Sequence, residues 1–270
     1  MLPGVPNAAI ARQVERAGFD AVYVSGAGMA NATAGVPDIG LLSMTEVVTL
    51  AGYVANAVKI PAIVDADTGF GGTENVARTI RKLEGAGLAG CHIEDQEFPK
   101  RCGHLAGKSI VDIEEMIGKI KAAVVARRDP DFMIIARTDA RAVEGFDRAV
   151  ERAKEYIAAG ADSIFPEALQ SQEEFRDFAK KIDVPLLANM TEFGKSPLLS
   201  FHDLTELGYR MVIFPMSAFR VSMKASRQFL HALQKSGTQK DWIDEMQTRQ
   251  ELYELLDYDP AAKEWLGLGD

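Results

Sequence analysis

Eight short runs rich in β-branched and aliphatic residues, each followed by a stretch with helical periodicity, constrain this 270-residue chain more than any other feature. The strand-like runs span 2–6, 21–25 (AVYVS), 61–67 (PAIVDAD), 90–94 (GCHIE), 132–138 (FMIIART), 163–167 (SIFPE), 185–190 (PLLANM) and 210–215 (RMVIFP). Helical patterns cover 7–17, 43–58, 75–86, 112–127, 145–159, 172–181 and 201–207. Gly18 closes the first and Ser43 caps the second. Residues 26–40 read as a glycine-rich loop. Strands alternating with helices imply a parallel sheet. Eight such units in about 250 residues match a closed (β/α)₈ TIM-type barrel. The alternative is an open doubly wound sheet. Against it, no GxGxxG follows the first strand, and GFGG at 69–72 has the wrong spacing.

No linker or low-complexity segment divides the chain, so residues 1–270 are expected to form one barrel domain. Its helical tail, 217–258, is longer than one closing helix requires. Phe229, Leu230 and Leu233 form one apolar stripe on that tail. Trp242, Ile243, Met246, Leu252, Leu255 and Leu256 form a second. Such surface, left exposed, favours association.

The net charge of −9 comes without a basic patch, which argues against nucleic acid as a partner. No apolar run reaches transmembrane length, and the N-terminus lacks the charged-then-apolar pattern of a signal peptide. Two cysteines near one expected active centre suit reduced thiols and a cytoplasmic location.

In such barrels the active site lies at the carboxyl ends of the strands. Those positions hold Ser25-Gly26-Ala27, Asp65 and Asp67, Glu94 and Asp95, Arg137 and Asp139, Glu167, Asn189 and Thr191, then Ser217 and Arg220. Taken singly, each carboxylate could cap a helix or pair with a local cation. Together they describe one polar crevice. After strand four comes Lys100-Arg101-Cys102-Gly103-His104. A thiol among cations has its pKa drawn toward neutrality, while nearby carboxylates push it back up. Cys91, inside an apolar strand, reads as core; Cys102, among charges and glycines, does not. Asp65, Asp67, Glu94 and Asp95 offer hard oxygen ligands suited to Mg²⁺ or Mn²⁺. A Cys-Gly-His zinc site lacks a second pair of ligands. Lys100, Arg101, Arg137 and Arg220 suit a substrate with several carboxylates. Phosphate also fits that inventory, but phosphoryl transfer has no need of the thiol. A thiol hydrolase built on Cys102 and His104 is the alternative outside this class. The polar loop from Glu97 to Ser109, with Gly103 and Gly107, is expected to act as a lid.

The motif KRCGH at 100–104 resembles the signature of the 2-methylisocitrate lyase family, within the isocitrate lyase/phosphoenolpyruvate mutase superfamily. The resemblance extends through Asp65-Ala66-Asp67-Thr68-Gly69-Phe70-Gly71, His92-Ile93-Glu94-Asp95-Gln96, Ala136-Arg137-Thr138-Asp139, Phe165-Pro166-Glu167, Ala188-Asn189-Met190-Thr191-Glu192-Phe193-Gly194 and Met246-Gln247-Thr248-Arg249. It implies a Mg²⁺-dependent barrel enzyme cleaving (2S,3R)-2-methylisocitrate, a tricarboxylate, to pyruvate and succinate in the methylcitrate cycle of propionate catabolism. It also implies a cytoplasmic homotetramer with C-terminal helices exchanged between subunits. Isocitrate lyase, or another 2-oxo-acid or phosphonopyruvate lyase of the superfamily, is the nearest rival. Carried over, Asp65, Asp67 and Glu94 hold the metal. Ser25, Gly26, Ala27, Cys102, Gly103, Arg137, Glu167, Asn189, Met190, Thr191, Arg220 and Arg249 bind substrate. Cys102 is the catalytic acid with His104 beside it, and Tyr23 is the candidate base, although a tyrosine in a strand is usually core. Two departures stand out. Ser25-Gly26-Ala27 replaces the family's usual Ser-Gly-Gly, and the sequence begins almost inside its first strand, where relatives carry a helix that covers the bottom of the barrel.

Overall fold

The computed structural model describes residues 1–104 and 107–262. Two compact units emerge, Met1–Ser217 and a second beginning at Ala218. The first carries β1 (Leu2–Val5), β2 (Val22–Val24), β3 (Ala62–Asp65), β4 (Gly90–Glu94), β5 (Met133–Thr138), β6 (Ser163–Pro166), β7 (Leu187–Asn189) and β8 (Met211–Phe214). All pair in parallel, in the order β6-β5-β4-β3-β2-β1-β8-β7. A single parallel bridge, Ile164 to Leu186, joins β6 to β7. The result is a nearly closed (β/α)₈ barrel of TIM type, as the alternation of patterns predicts.

The helices of this unit are α1 (Ala8–Arg16), α2 (Gly26–Met29), α3 (Met44–Ala57), α4 (Thr73–Gly85), α5 (Ile113–Ala126), α6 (Ala140–Val143), α7 (Phe146–Ala158), α8 (Gln172–Ala179) and α9 (Phe201–Glu206). Their starts follow from sequence. The Asn7 side chain accepts from the Ile10 N–H, and Ser43 with Glu46, like Ser200 with Asp203, forms a reciprocal capping box. Residues 26–40 differ from expectation, because α2 and a π-helical turn, Ala30–Ala34, occupy much of them. The Ser25 hydroxyl accepts from the Gly28 N–H and opens that helix despite its glycines. β7 is shorter than its apolar run because Pro185 has no N–H; its carbonyl instead accepts from Ser163 Oγ and the Ile164 N–H.

Strand alternation separates two layers. Cys91, Ile93, Ile134, Ala136, Ala188 and Val212 face the helices in the large apolar core. Leu2, Tyr23, Ile63, Ile135, Phe165, Leu187 and Ile213 fill the barrel interior. Two residues further along β2, β3, β5, β6 and β7, that interior face reaches Ser25, Asp65, Arg137, Glu167 and Asn189.

The second unit contains α10 (Ser217–Ser236, continuing from the first unit), a 3₁₀ turn (Lys240–Glu245) and α11 (Arg249–Leu255). Phe229 packs edge-on against Trp242, and Tyr253 against Tyr258. Among the described residues, no helix is long and apolar enough to cross a membrane.

Candidate active site

The strained backbone of the barrel collects at the carboxyl ends of its strands. Asp67 and Phe70 after β3, Ala168 after β6 and Phe193 after β7 all adopt positive φ, at 46°, 61°, 58° and 62°. Such conformations cost of order 1–3 kcal/mol each and persist where surrounding structure enforces them, characteristically at functional sites.

One side of the crevice is anionic. Asp65 ends β3 and Asp67 follows, its N–H donating to Asp65 Oδ1 at 3.0 Å. Gly26 packs so closely that a Cβ there would lie 2.7 Å from Asp65 Oδ2. Lys100, almost fully buried, bridges Asp67 Oδ1 at 2.7 Å and Asp38. Burial would raise the Asp65 pKa, but His92, Lys100, Arg137 and the Asp67 N–H together lower it to about 2. For Asp67, burial and the neighbouring Asp65 win over Lys100, and the pKa rises to about 6. Glu94 is fully buried, and burial pushes its pKa well up despite Arg137 Nη1 at 2.9 Å from Oε2.

The other side is organised by Arg137. Its Nε donates to Asp139 Oδ2 at 2.9 Å and Nη2 to Asp139 Oδ1 at 3.2 Å. Nη2 also lies 3.7 Å from Glu167 Oε1, and the guanidinium stacks over the Phe165 ring. Asn189 Nδ2 reaches Glu167 at 3.3–3.4 Å, and its Oδ1 accepts from the Thr191 N–H. Gly103 presses onto this group, because a Cβ there would lie 2.1 Å from Glu167 Oε1 and 2.4 Å from Arg137 Nη2. No residue but glycine brings the Cys102–His104 backbone so close. The base of the loop is pinned by Gln96, which exchanges hydrogen bonds with the backbone of Arg101, and by Glu97 N–H to the Ser109 carbonyl. Of the expected lid, residues 105 and 106 lie outside the described residues.

Cys102 departs from expectation in its acidity. Burial raises its thiol pKa, with Glu167 and Asp38 adding to the rise. The His104 N–H and Arg137 oppose it without reversing it. The cations that would have lowered it are engaged elsewhere, Lys100 by carboxylates and Arg137 by three acidic neighbours. His104 accepts from the Lys195 N–H through Nδ1, so its proton resides on Nε2, 3.3 Å from Glu167 Oε1. Burial lowers its pKa.

Tyr23 lies in the barrel interior with its hydroxyl 2.8 Å from His92 Nε2 and 3.5 Å from Asp65 Oδ2. Burial, then Asp65, raises its pKa well above the ordinary value, so it stands as a phenol at neutral pH and not as a ready base. Burial also lowers His92 to about 4 and keeps it neutral. Ser25 is buried and Gly26 and Ala27 half-buried at the start of α2, beside Asp65. Met190 does not enter the crevice. It alternates with Asn189, faces the helical layer, and its sulfur accepts from the Leu199 N–H. Asp95 likewise turns outward to Thr138, Tyr156 and the Asp139 N–H, so it is no candidate metal ligand. Arg220 and Arg249 belong to the second unit, on α10 and at the first position of α11.

Asp38 and His92 fall in stretches that carry the family resemblance, but neither they nor Lys108 are given a site role by the sequence. Asp38 sat in a stretch read as loop, His92 inside an apolar strand, and Lys108 past the motif; only the fold aims them inward.

The carboxylates fit a divalent cation. Glu94 Oε1 is buried without a hydrogen-bond partner, and Asp38, Asp65, Asp67, Glu94, Asp139 and Glu167 outnumber Lys100, Lys108 and Arg137. Among the described residues, no three His, Cys, Asp or Glu side chains converge tightly enough to cage an ion unaided.

A thiol-bearing loop thus lies against buried carboxylates and a carboxylate-paired guanidinium at the carboxyl mouth of a parallel barrel. Residues 1–234 match the phosphoenolpyruvate phosphomutase family. The chain is 54% identical to the 2-methylisocitrate lyase of Aeropyrum pernix over 97% of this chain and 84% of that one. The solved 2,3-dimethylmalate lyase superposes with a TM-score of 0.90 at 38% identity, covering 94% of this chain and 85% of that one. Phosphonopyruvate hydrolase in complex with oxalate and Mg²⁺ superposes with a TM-score of 0.86 at 33% identity, covering 95% and 89%. The chain belongs to the phosphoenolpyruvate phosphomutase family, among its lyases.

Proposed function

We propose that this lyase cleaves (2S,3R)-2-methylisocitrate to pyruvate and succinate, in propionate catabolism in the cytoplasm, with Mg²⁺ as its metal and Mn²⁺ as a substitute. The observation that carries the reading is the close packing of Gly103 on Glu167 and Arg137, which sets the Cys102 loop against the guanidinium that would hold a substrate carboxylate. The orphaned Glu94 Oε1, beside Asp65 and Asp67, supports the metal site.

Asp65, Asp67 and Glu94 would hold Mg²⁺, which when bound would supply Lewis acidity at the substrate 2-hydroxyl. Backbone N–H groups of Gly26 and Ala27 bind one carboxylate; Arg137, Asn189 and Thr191 bind others, with Arg220 and Arg249 contributed by the C-terminal helices. Tyr23 orients the hydroxyl as a phenol hydrogen-bonded to His92. As the C2–C3 bond breaks, the 2-hydroxyl proton leaves to solvent, C2 becomes the pyruvate carbonyl, the bonding pair goes to the succinate fragment, and Arg137 offsets the charge that grows there. Cys102, a thiol whose pKa burial raises further, delivers its proton to that carbon and is reprotonated from solvent. His104 and Glu167 hold the loop beside it. A thiol hydrolase needs the opposite, a thiolate activated by a free imidazole; the raised Cys102 pKa and the occupied His104 Nδ1 count against it.

The assay is purified protein with Mg²⁺, given 2-methylisocitrate and isocitrate side by side. Pyruvate from 2-methylisocitrate, abolished by chelator and restored by Mg²⁺ or Mn²⁺, is expected. Undiminished turnover in excess chelator, or product from isocitrate alone, overturns the reading. For assembly, a homotetramer with residues 217–258 exchanged between subunits is supported by α10, which has no buried residue and exposes Val221, Met223 and Leu230. Truncation after Gly237 should abolish oligomers and activity together, and Tm should rise with protein concentration. A truncated chain that is a stable monomer with the intact Tm refutes exchange.

A further inference from the structure

Lys108 is a buried lysine that the reaction above does not use. Its Nζ lies 2.5 Å from the Gly103 carbonyl oxygen and 2.5 Å from Asp139 Oδ1, with the side chain 1% exposed. A buried ammonium is costly unless it is paired and hydrogen-bonded. Here its counter-charge is the one carboxylate that also receives Arg137 Nε and Nη2. Asp139 is in turn fixed from behind, its N–H donating to Asp95 Oδ1 at 2.8 Å. Lys108 therefore spans from the peptide next to Cys102 to the carboxylate that orients the guanidinium.

We propose that Lys108 is a positioning residue that fixes the Cys102–Gly103 backbone against the Arg137–Asp139 pair, so that proton donor and carboxylate-binding cation move as one unit. The inference rests on the roles of Cys102 and Arg137 given above. A mere counter-ion for Asp139 would affect stability; a positioning residue sets the exposure of the thiol and the rate of the proton-transfer step. Reacting groups displaced by about 1 Å lose of order 100-fold in rate.

The test compares Lys108→Met, Lys108→Gln and Lys108→Arg in the full-length protein. In the absence of substrate, Cys102 alkylation by iodoacetamide is followed, together with hydrogen exchange at the Gly103 and His104 amides; buried Cys91 serves as the unreactive control. Lys108→Met should raise alkylation and exchange at least about tenfold and lower kcat roughly 10–100-fold with little change in KM, and Lys108→Arg should recover most of both. Should Lys108→Met not fold, Lys108→Gln, which keeps a donor for the Gly103 carbonyl without the charge, should show the same direction with a smaller change. Wild-type alkylation and exchange in a folded, uncharged variant overturn the proposal, as does a change confined to KM. The alkylation and exchange arms need no substrate, so they decide the matter even if 2-methylisocitrate proves not to be cleaved.

Discussion

The mouth of the barrel and the polar cluster just behind it are built from the same residue types to opposite ends, and Glu94 and Asp95 mark the boundary. The two are adjacent and equally buried. Asp95 faces outward, and both its oxygens are satisfied by Thr138, Tyr156 and the Asp139 N–H, with Arg152 3.6 Å away. Glu94 faces inward with an ion pair to Arg137 and an oxygen without a hydrogen-bond partner. A satisfied buried carboxylate rigidifies the fold; an incompletely satisfied one is tolerated where a ligand completes it. The same division separates Met190 from Asn189 and Cys91 from His92.

Cys102→Ser tests the mouth most severely. A hydroxyl is a far weaker acid than a thiol of similar size, so substrate binding should persist while turnover is lost. Retention of more than about a tenth of the wild-type kcat, a barrier change under about 1.4 kcal/mol, removes Cys102 from the acid role.

The paired substitution breaks the comparison itself. Asp95→Asn should cost about 3 kcal/mol of stability, since it disturbs a buried, fully bonded network. Glu94→Gln should leave stability within about 1 kcal/mol while metal affinity falls roughly 10–100-fold. Denaturant melts and metal titrations on both variants decide it; equal effects on stability would erase the distinction between the two layers.

Which residues fall in which layer was partly legible in the sequence. The eight strands were, because a buried parallel strand is a short β-branched run whatever its neighbours. Strand-end carboxylates were too, since the barrel carries its site there. What alternation would have added is facing: counting by twos from Leu187 puts Asn189 in the crevice and Met190 outside, and counting from His92 does the same for Glu94 and Asp95. The helical start at Gly26 depends on the side chain of Ser25, a local bond that composition hides. The direction of the Cys102 pKa was not legible, because it depends on whether nearby cations are already engaged, and that is settled only in three dimensions.

His92 sharpens the comparison through pH. Burial holds its folded pKa near 4, against an ordinary value of 6.5. Below pH 6.5 the unfolded chain binds a proton there that the folded chain refuses, so this residue draws stability down as pH falls from 6.5 toward 4, by about 3 kcal/mol in total. His92→Gln should flatten that part of the stability–pH curve; an unchanged slope would mean that His92 titrates normally in the fold.

The smallest effect is expected at the Ser25-Gly26-Ala27 turn, and there the two adjacent positions again differ. Gly26 has no room for a side chain, because a Cβ would lie 2.7 Å from Asp65 Oδ2, so Gly26→Ala should displace that carboxylate and lower activity. Ala27 is the second residue of α2, half-buried and without positive φ, so nothing in its backbone calls for glycine. Ala27→Gly, which restores the more usual Ser-Gly-Gly, removes one methyl group and adds backbone freedom in a short helix. The cost is about 1 kcal/mol at most. Its backbone N–H is untouched, so kcat/KM should stay within about threefold of wild type, under about 1 kcal/mol of transition-state stabilisation. A large gain on this substitution would mean that the Ala27 methyl group crowds the substrate, and the carboxylate would then be held by something other than the N–H groups at the start of α2.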